Sequence, residues 1–273
     1  MSLLNIRNLT VCDRRTDEIL IKDIHFEIDS NTCLGIVGES GSGKSVTCKA
    51  ILGLANPWLE VTGQVLFEGS NLLNAEQETL RQIRGKRICM ILQDAMTAFD
   101  PLYTIGYQMV ETLCENGQYN KTDAKIIAIE TLQKMYIHEP RLVLKKYAHQ
   151  LSGGMLQRCM IALAMALKPD ILIADEPTTA LDAINQREVI EEFQRLRQIT
   201  GMAMIFISHD LGVVQHLAEK ILVMKDGEQV EYGPIEQVFE KPQHVYTRYL
   251  LDTRKALTKS FHEAMKVRRS KEC

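Results

Sequence analysis

Polar and apolar positions alternate along the first third of the chain in patterns that predict short strands. Ile24, Phe26 and Ile28 are separated by polar residues, which is typical of a strand with one buried face. The run 33–37 is apolar throughout and is typical of a strand buried on both faces of a parallel sheet. A further short strand is predicted at 65–67, between two glycines. This third of the chain is therefore expected to consist of strands and turns.

The remainder of the chain alternates between helical and extended patterns. Apolar positions cluster at helical spacing over 105–135. The predicted elements that follow are a helix at 155–167, a strand at 171–174, a helix at 185–198 and a strand at 203–207. Such alternation predicts an α/β fold, in which helices cover both faces of a largely parallel sheet.

The composition of the 273-residue chain disfavours several classes of protein but does not indicate which reaction it performs. The chain carries 32 Lys and Arg against 35 Asp and Glu, a net charge of −3, which disfavours a protein that wraps nucleic acid. The longest apolar run, 160–167, is far shorter than the roughly 18 residues that span a bilayer. No signal peptide is expected at the amino end. Seven cysteines are scattered without C-x-x-C spacing, which predicts free thiols in a reducing cytosol.

A glycine-rich segment follows the apolar strand 33–37 and precedes a predicted helix. It fits the pattern G-x-x-x-x-G-K-[ST], and its members are Gly38, Glu39, Ser40, Gly41, Ser42, Gly43, Lys44 and Ser45. Its glycines let the backbone bend until successive N–H groups point at phosphate oxygens, and the following helix adds positive charge at its start. Lys44 is expected to bridge the β- and γ-phosphates of a nucleotide, and the Ser45 hydroxyl to ligate Mg²⁺. Kinases, GTPases and many ATPases share such a loop, so other residues must decide among them.

Two acidic residues follow the predicted strand 171–174. Asp175 is expected to hold Mg²⁺ through water, and Glu176 is placed to polarise the attacking water as a general base. An Asp-Glu pair after a strand is a weak indication alone and a strong one beside a phosphate-binding loop.

A second candidate anion site lies in the middle of the chain. Its segment is Leu151, Ser152, Gly153, Gly154, Met155, Leu156, Gln157 and Arg158. Ser152 suits the N-cap of a helix predicted from Met155, and the two glycines allow another backbone to approach closely. The start of that helix carries partial positive charge. An ordinary capped helix would explain Ser152 but not the double glycine, so the segment is expected to hold an anion.

Taken together and in this order, these segments resemble the ATP-binding subunit of an ABC transporter. Lys44 lies 107 residues before Leu151, a spacing that agrees with the family. His209 within Ser-His-Asp, Gln93 and Asp182 match three further motifs of the family. The resemblance covers essentially the whole chain.

This resemblance implies a P-loop NTPase core with an antiparallel β subdomain and a helical signature subdomain. It predicts a single ABC ATPase domain over 1–250, with a RecA-like core at 1–93 and 159–232 and a helical subdomain at about 94–158. A C-terminal extension, 233–273, ends in a basic tail. The last twenty residues hold seven basic and two acidic side chains, a net charge of +5, as expected of a solvated tail or of attraction to an anionic membrane.

Roles for individual residues are implied as well. Two subunits pair head to tail, and each ATP lies between the phosphate loop of one subunit and the signature segment of the other. The signature residues are Leu151, Ser152, Gly153, Gly154 and Gln157. Glu176 is expected to be the general base, His209 to contact the γ-phosphate and position water, and Gln93 to sense Mg²⁺ and the γ-phosphate. Asp182 is expected to connect the two sites. The Mg²⁺ ligands are expected to be Ser45, Gln93 and Asp175.

The resemblance also implies partners and a location. The expected partners are a second ABC ATPase subunit, identical or different, two membrane permease subunits and an extracytoplasmic solute-binding protein, and no nucleic acid is expected. The chain is expected to lie peripherally on the cytoplasmic face of the inner membrane. A soluble ABC ATPase acting on DNA or ribosomes is disfavoured, because such proteins typically carry a long coiled-coil insertion or two tandem cassettes. A non-hydrolysing regulatory module is disfavoured, because the residues expected for hydrolysis are all present: Lys44, Asp175, Glu176 and His209.

Within the family, the chain resembles importers of dipeptides, oligopeptides and nickel. The segment 242–248, PQHVYTR, is close to the P-x-H-P-Y-T-R of that group. The amino-acid sequence of the signature segment is most similar to that of the D-type subunit in the nickel or metallophore branch of the family. The expected cargo is therefore nickel or a metal chelate, with a di- or oligopeptide as the alternative.

Two features depart from the family pattern. Residues 1–25 contain no Phe, Tyr or Trp to stack on adenine, and Asp13 stands where the aromatic residue would be. Adenine is then expected to stack on Arg14 or Arg15, or to be held loosely, with weak selectivity for the base. Some relatives also carry a cysteine cluster near the C-terminus, whereas here only Cys273 lies beyond residue 159, so no iron–sulfur cluster is expected.

Overall fold

A computed structural model describes residues 2–256 of the chain. The strands within that range are β1 (Leu4–Asp13), β2 (Glu18–Ile28), β3 (Cys33–Val37), β4 (Leu59–Phe67), β5 (Ser70–Asn71), β6 (Ile88–Ile91), β7 (Ile171–Asp175), β8 (Ala203–Ile207), β9 (Lys220–Lys225) and β10 (Glu228–Pro234). The helices are α1 (Lys44–Ile51), α2 (Gln77–Ile83), α3 (Ala95–Ala98), α4 (Ile105–Asn116), α5 (Lys121–Lys134), α6 (Pro140–Val143), α7 (Gly153–Ala166), α8 (Ala183–Thr200), α9 (Leu211–Leu217), α10 (Ile235–Glu240) and α11 (245–256). Most of the predicted basic tail, together with Cys273, lies outside the described residues.

The strands form one continuous sheet with a parallel half and an antiparallel half. Their order is β5-β4-β1-β2-β10-β9-β3-β8-β7-β6. Neighbouring strands from β9 to β6 run parallel, whereas β1 pairs antiparallel with β2 and β4. All residues of β3, β7 and β8 are buried, because α1 and the antiparallel strands cover one face of the parallel half and α7, α8 and α9 cover the other. The predicted α/β architecture is confirmed.

Alternate side chains of β3 enter two apolar cores on opposite faces of the sheet. Leu34 and Ile36 pack with the antiparallel strands and α1, whereas Cys33 and Val37 pack with the cluster that includes α4, α5 and α7. The pleat of a strand sends successive side chains to opposite faces. Strand β3 therefore joins the two cores, and the loop that leaves it is anchored on both sides.

Two predicted helices differ in detail from the structure. The helical pattern over 105–135 is two helices, α4 and α5, which are separated by a turn where Gln118 has a φ of 57° and Asn120 caps α5. The helix predicted from Met155 begins at Gly153 instead. Both glycines of the signature segment therefore lie in the first turn of α7, and Ser152 is its N-cap as predicted.

Helix α9 packs against β3 at a position where only glycine fits. A Cβ at Gly35 would overlap Val214 Cγ1 and lie 3.3 Å from Ala218 Cβ. The absence of a side chain at Gly35 thus sets how closely α9, the helix that follows His209, approaches the sheet.

Replacing Gly35 with alanine is expected to lower the free energy of unfolding by about 1–3 kcal/mol, because α9 must move away from the sheet. Gly233→Ala is the matched control, since its Cβ would meet Val238 Cγ2 at an ordinary 3.6 Å. Urea denaturation measures both variants. Equal stabilities would contradict the close packing inferred at Gly35.

Candidate active site

The phosphate loop connects β3 to α1 through two glycines in the left-handed region of backbone conformation. Gly41 has a φ of 85° and Gly43 a φ of 96°. Gly43 is also the N-cap residue of α1, and a Cβ on it would overlap the side chain of Ile21 on β2. The loop can therefore follow this path only with glycine at these turns, and it aims the start of α1 into the site.

Lys44 is buried at the first position of α1 and lies folded over the loop. Its Nζ donates hydrogen bonds to Gly38 O at 2.9 Å and Glu39 O at 2.7 Å, and lies 3.3 Å from Ser42 Oγ. Burial lowers the pKa of Lys44, and the nearby carboxylates of Glu176 and Asp175 oppose that shift. The ammonium group is thus held at the centre of the loop by neutral acceptors that phosphate oxygens would replace.

Ser45 and Asp175 join the phosphate loop to the end of β7. Ser45 Oγ donates a hydrogen bond of 3.0 Å to Asp175 Oδ1. Burial raises the pKa of Asp175, and the hydrogen bond from Ser45 works against that rise. A hydroxyl and a carboxylate oxygen at this separation are the hard ligands that Mg²⁺ prefers, so the residues present fit that ion.

Glu176 stands at the centre of a cluster formed with Thr179 of its own turn and with residues of two further segments, Gln93 and His209. Its Oε2 accepts hydrogen bonds from Gln93 Nε2 at 3.3 Å and Thr179 Oγ1 at 3.2 Å, and it lies 3.3 Å from His209 Nδ1. Glu176 has a φ of 47°, an uncommon conformation for a residue with a side chain. The structure thus brings together the three side chains that the sequence proposed as catalytic.

Thr179 was not recognised as part of this cluster from the sequence. It lies three residues after Glu176, and its Oγ1 also donates to the carbonyl oxygen of Glu176 at 3.0 Å. A hydroxyl three positions after an acidic residue in a turn is the signal that could have indicated it.

The signature segment presents an exposed helix start rather than a pocket. Ser152 and Gly153 are exposed, and a Cβ on Gly153 would meet no atom within 4 Å. Gly154 faces the carbonyl oxygen of Ala180, 3.1 Å from where a Cβ would stand. Leu151 is buried at the base of the segment. Gln157 is 1% exposed, so this side chain is not on the surface that Ser152 and Gly153 form.

Asp182 is tied to the signature helix through two side chains. It caps α8, accepting hydrogen bonds from the backbone N–H groups of Ile184 and Asn185, and Asn185 Nδ2 donates to its Oδ2 at 2.6 Å. Hydrogen bonds from Asn185 hold the pKa of Asp182 below its usual range. Arg158 on α7 donates to Asn185 Oδ1 at 3.1 Å. The start of α8 and the signature helix are thereby connected.

Asp13 positions an arginine on an aromatic ring at the tip of the β1–β2 hairpin. Arg15 donates from Nε to Asp13 Oδ1 at 3.0 Å and from Nη2 to Oδ2 at 2.6 Å. These bonds hold the pKa of Asp13 at about 2. The Arg15 guanidinium lies 4.7 Å from the ring centre of Trp58, whereas Arg14 pairs with Glu60 at 3.4 Å. Trp58 was not singled out from the sequence, because it lies far from the hairpin along the chain.

Comparison with known proteins identifies the family of this chain. Residues 21–179 match the ABC transporter family. The metal-staphylopine import system ATP-binding protein CntD of Staphylococcus aureus is 45% identical over 266 residues, covering 97% of this chain and 98% of that protein. The dipeptide transport ATP-binding protein DppD of Lactococcus lactis is 46% identical over 235 residues, covering 85% and 67%.

A solved structure agrees with these sequence relatives. The ATP-binding cassette MJ0796, a dimer in a post-hydrolysis state bound to ADP and Pi, matches with a TM-score of 0.76 at 27% identity and covers 85% of this chain and 98% of that one. The predicted resemblance is confirmed: this chain belongs to the ABC transporter family, as an ATP-binding subunit that hydrolyses ATP.

Proposed function

We propose that this chain is the ATP-hydrolysing subunit of an ABC import complex whose cargo is nickel or another metal as a chelate. The observation that carries the catalytic part is the Glu176 cluster, which lies beside the Ser45–Asp175 pair and the buried Lys44. Similarity to a metal-staphylopine import protein supports the metal cargo. Similarity to a dipeptide transport protein supports a short peptide as the second candidate.

The phosphate loop and α1 bind the triphosphate through backbone N–H groups and Lys44. Among the residues that the structure describes, Lys44 donates only to neutral oxygens of its own loop, so it can transfer these bonds to phosphate oxygens without breaking an ion pair there. Ser45 and Asp175 would hold Mg²⁺, Asp175 through water, and Gln93 would complete the set. Such an ion would supply positive charge to balance the charge that develops on the phosphates.

Glu176 is the general base in this proposal. Its carboxylate accepts the proton of the attacking water, while contacts from Gln93 and His209 to Oε2 hold the carboxylate in place. The Glu176 carboxylate lies with Gln93 and His209, whereas the carboxylate of the adjacent Asp175 accepts from Ser45. Two neighbouring carboxylates can thus perform two tasks, one holding the ion and one taking the proton.

A second ATPase subunit, identical or different, completes the site. Ser152, Gly153 and Gly154 form the N-cap and first residues of α7, a helix of 14 residues whose positive end faces solvent, and Leu151 lies buried just before them. In the partner's site this helix start stabilises negative charge on the γ-phosphate, the task that an arginine performs in other NTPases. Asp182, linked to the same helix, connects the two sites.

The surface near Gln93 docks onto the membrane subunits. Phe99 is buried, but Met96 is 49% and Leu102 is 78% exposed beside it. No helix between residues 2 and 256 has the length and apolar character needed to cross a bilayer. In this proposal, which rests on the similarity to importer ATP-binding proteins, two permease subunits span the membrane, this chain lies on its cytoplasmic face, and a solute-binding protein delivers cargo on the other side.

Arg15 provides the stacking surface for adenine in place of an aromatic residue. Its guanidinium lies on Trp58, is fixed by Asp13, and remains 61% exposed at the side chain. Gly43 of the phosphate loop lies against Ile21 on β2, where a Cβ would overlap the Ile21 side chain. Strand β2 begins at the β1–β2 hairpin three residues before Ile21, about 10 Å away. A planar cation stacks on any base, so selectivity among bases is expected to be weak.

Glu176→Gln is expected to abolish steady-state ATP hydrolysis and to leave ATP-bound dimers accumulating, because the amide cannot accept the proton. Phosphate release and size-exclusion chromatography measure the two effects, and Glu240→Gln, an exposed position, is the control. Undiminished turnover would remove Glu176 as the base.

Arg15→Ala is expected to raise the KM for ATP and for GTP by similar factors of about 3 to 10, because the stacking surface is lost. Arg14→Ala should change neither value. Competition assays on the wild-type chain check selectivity, and the stacking proposal fails when GTP competes far less well than ATP.

Deleting the chain from its host is expected to abolish uptake of radioactive nickel supplied with a metallophore while leaving uptake of labelled dipeptides intact. Restoring the chain, but not its Glu176→Gln variant, recovers uptake. Loss of dipeptide uptake alone would assign the peptide cargo instead.

A further inference from the structure

The C-terminal extension contacts the phosphate loop directly. Tyr246, in the first turn of α11, accepts a hydrogen bond of 3.0 Å at its hydroxyl from the backbone N–H of Glu39. The side chain is buried, and burial raises the pKa of Tyr246, so the hydroxyl stays protonated at neutral pH. A neutral hydroxyl thus holds the second residue of the loop from outside the nucleotide-binding core.

Backbone contacts before α11 determine where Tyr246 stands. The N–H groups of Gln243 and His244 donate to the two carboxylate oxygens of Glu231 on β10, at 2.8 and 3.1 Å. His244 Nδ1 in turn accepts from the N–H of Tyr246 at 3.2 Å. The start of α11 is therefore fixed to the sheet. Tyr246 would keep its position even if the phosphate loop moved.

The β9–β10 hairpin supports the same region of the loop. Lys225 Nζ lies 5.3 Å from the ring centre of Tyr246, and the N–H of Gly227 donates to Ser42 O at 3.3 Å. A Cβ at Gly38 would overlap the carbonyl oxygen of Met224. The loop, the hairpin and Tyr246 are thus packed as one unit, in which Tyr246 contributes the polar contact from α11.

The other end of α11 contacts helix α9. Arg254 Nη1 donates to Gln215 Oε1 on α9 at 2.9 Å. Helix α9 follows His209 directly, with Asp210 as its N-cap. One helix therefore contacts both the loop that binds phosphates and the helix that positions the histidine beside Glu176.

We propose that Tyr246 is a positioning residue that preorganises the phosphate loop, and that α11 links this loop to the helix after His209. The proposal rests on ATP binding by this loop and adds the C-terminal extension to the nucleotide site. A loop already held in its binding conformation loses less conformational freedom when ATP binds. Without the hydroxyl, the N–H of Glu39 loses its acceptor and the loop samples other conformations.

Tyr246→Phe tests the hydroxyl while keeping the ring. The full-length variant is expected to bind the fluorescent analogue MANT-ATP about 3 to 10 times more weakly, the loss expected for one neutral hydrogen bond. The KM for ATP should rise by the same factor with kcat at saturating ATP preserved. Amide hydrogen exchange should increase at residues 38–43 and remain unchanged in the core strands.

Tyr249→Phe is the matched control, since its ring stacks on that of Tyr246 at 6.5 Å but its side chain is exposed. It should match the wild type in all three measurements. Unchanged MANT-ATP binding and loop exchange in Tyr246→Phe would overturn the proposal, as would exchange that increases uniformly across the chain. A wild-type chain that binds no MANT-ATP would contradict the proposed function itself, before any variant is compared.

Discussion

The site depends on the convergence of four adjacent parallel strands at their carboxyl ends. Strands β3, β8, β7 and β6 are neighbours in the sheet and are followed by the phosphate loop, His209, Glu176 and Gln93, respectively. Ligands bind at this edge of open α/β sheets because the loops that follow the strands meet there. Because all residues of three of these strands are buried, the hydrophobic core fixes the relative positions of groups that are up to 171 residues apart in sequence.

Burial also shifts the pKa values of charged groups in the site. It lowers the pKa of Lys44 and raises that of Asp175, so desolvation disfavours the charged form of both groups. Each nevertheless favours ionisation of the other through its opposite charge. The site therefore has little excess positive charge of its own, and the loop's N–H groups must supply much of the attraction for phosphate. This arrangement is compatible with a chain whose net charge is −3.

Residues that act through local backbone geometry could be predicted from the sequence. The phosphate loop, the Ser152 cap and the Asp175–Glu176 pair each lie within a short segment whose spacing carries the information. Contacts between distant segments could not be predicted this way. Trp58 beneath Arg15 and Tyr246 on the phosphate loop depend on packing of the whole sheet, and no local periodicity encodes them. The burial of Gln157 could not be predicted either, because membership of a sequence motif does not determine which way a side chain points.

Arg158 and Asn185 have a mechanical consequence for the proposed dimer. They connect the first turns of α7 to the start of α8, and Gly154 lies against the segment that leads to Asp182. The signature surface and Asp182, both proposed to face a partner subunit, are thus joined by hydrogen bonds and close packing. In the proposed dimer, a shift of the signature helix would therefore carry Asp182 with it, so a movement at one nucleotide site would be transmitted to the other.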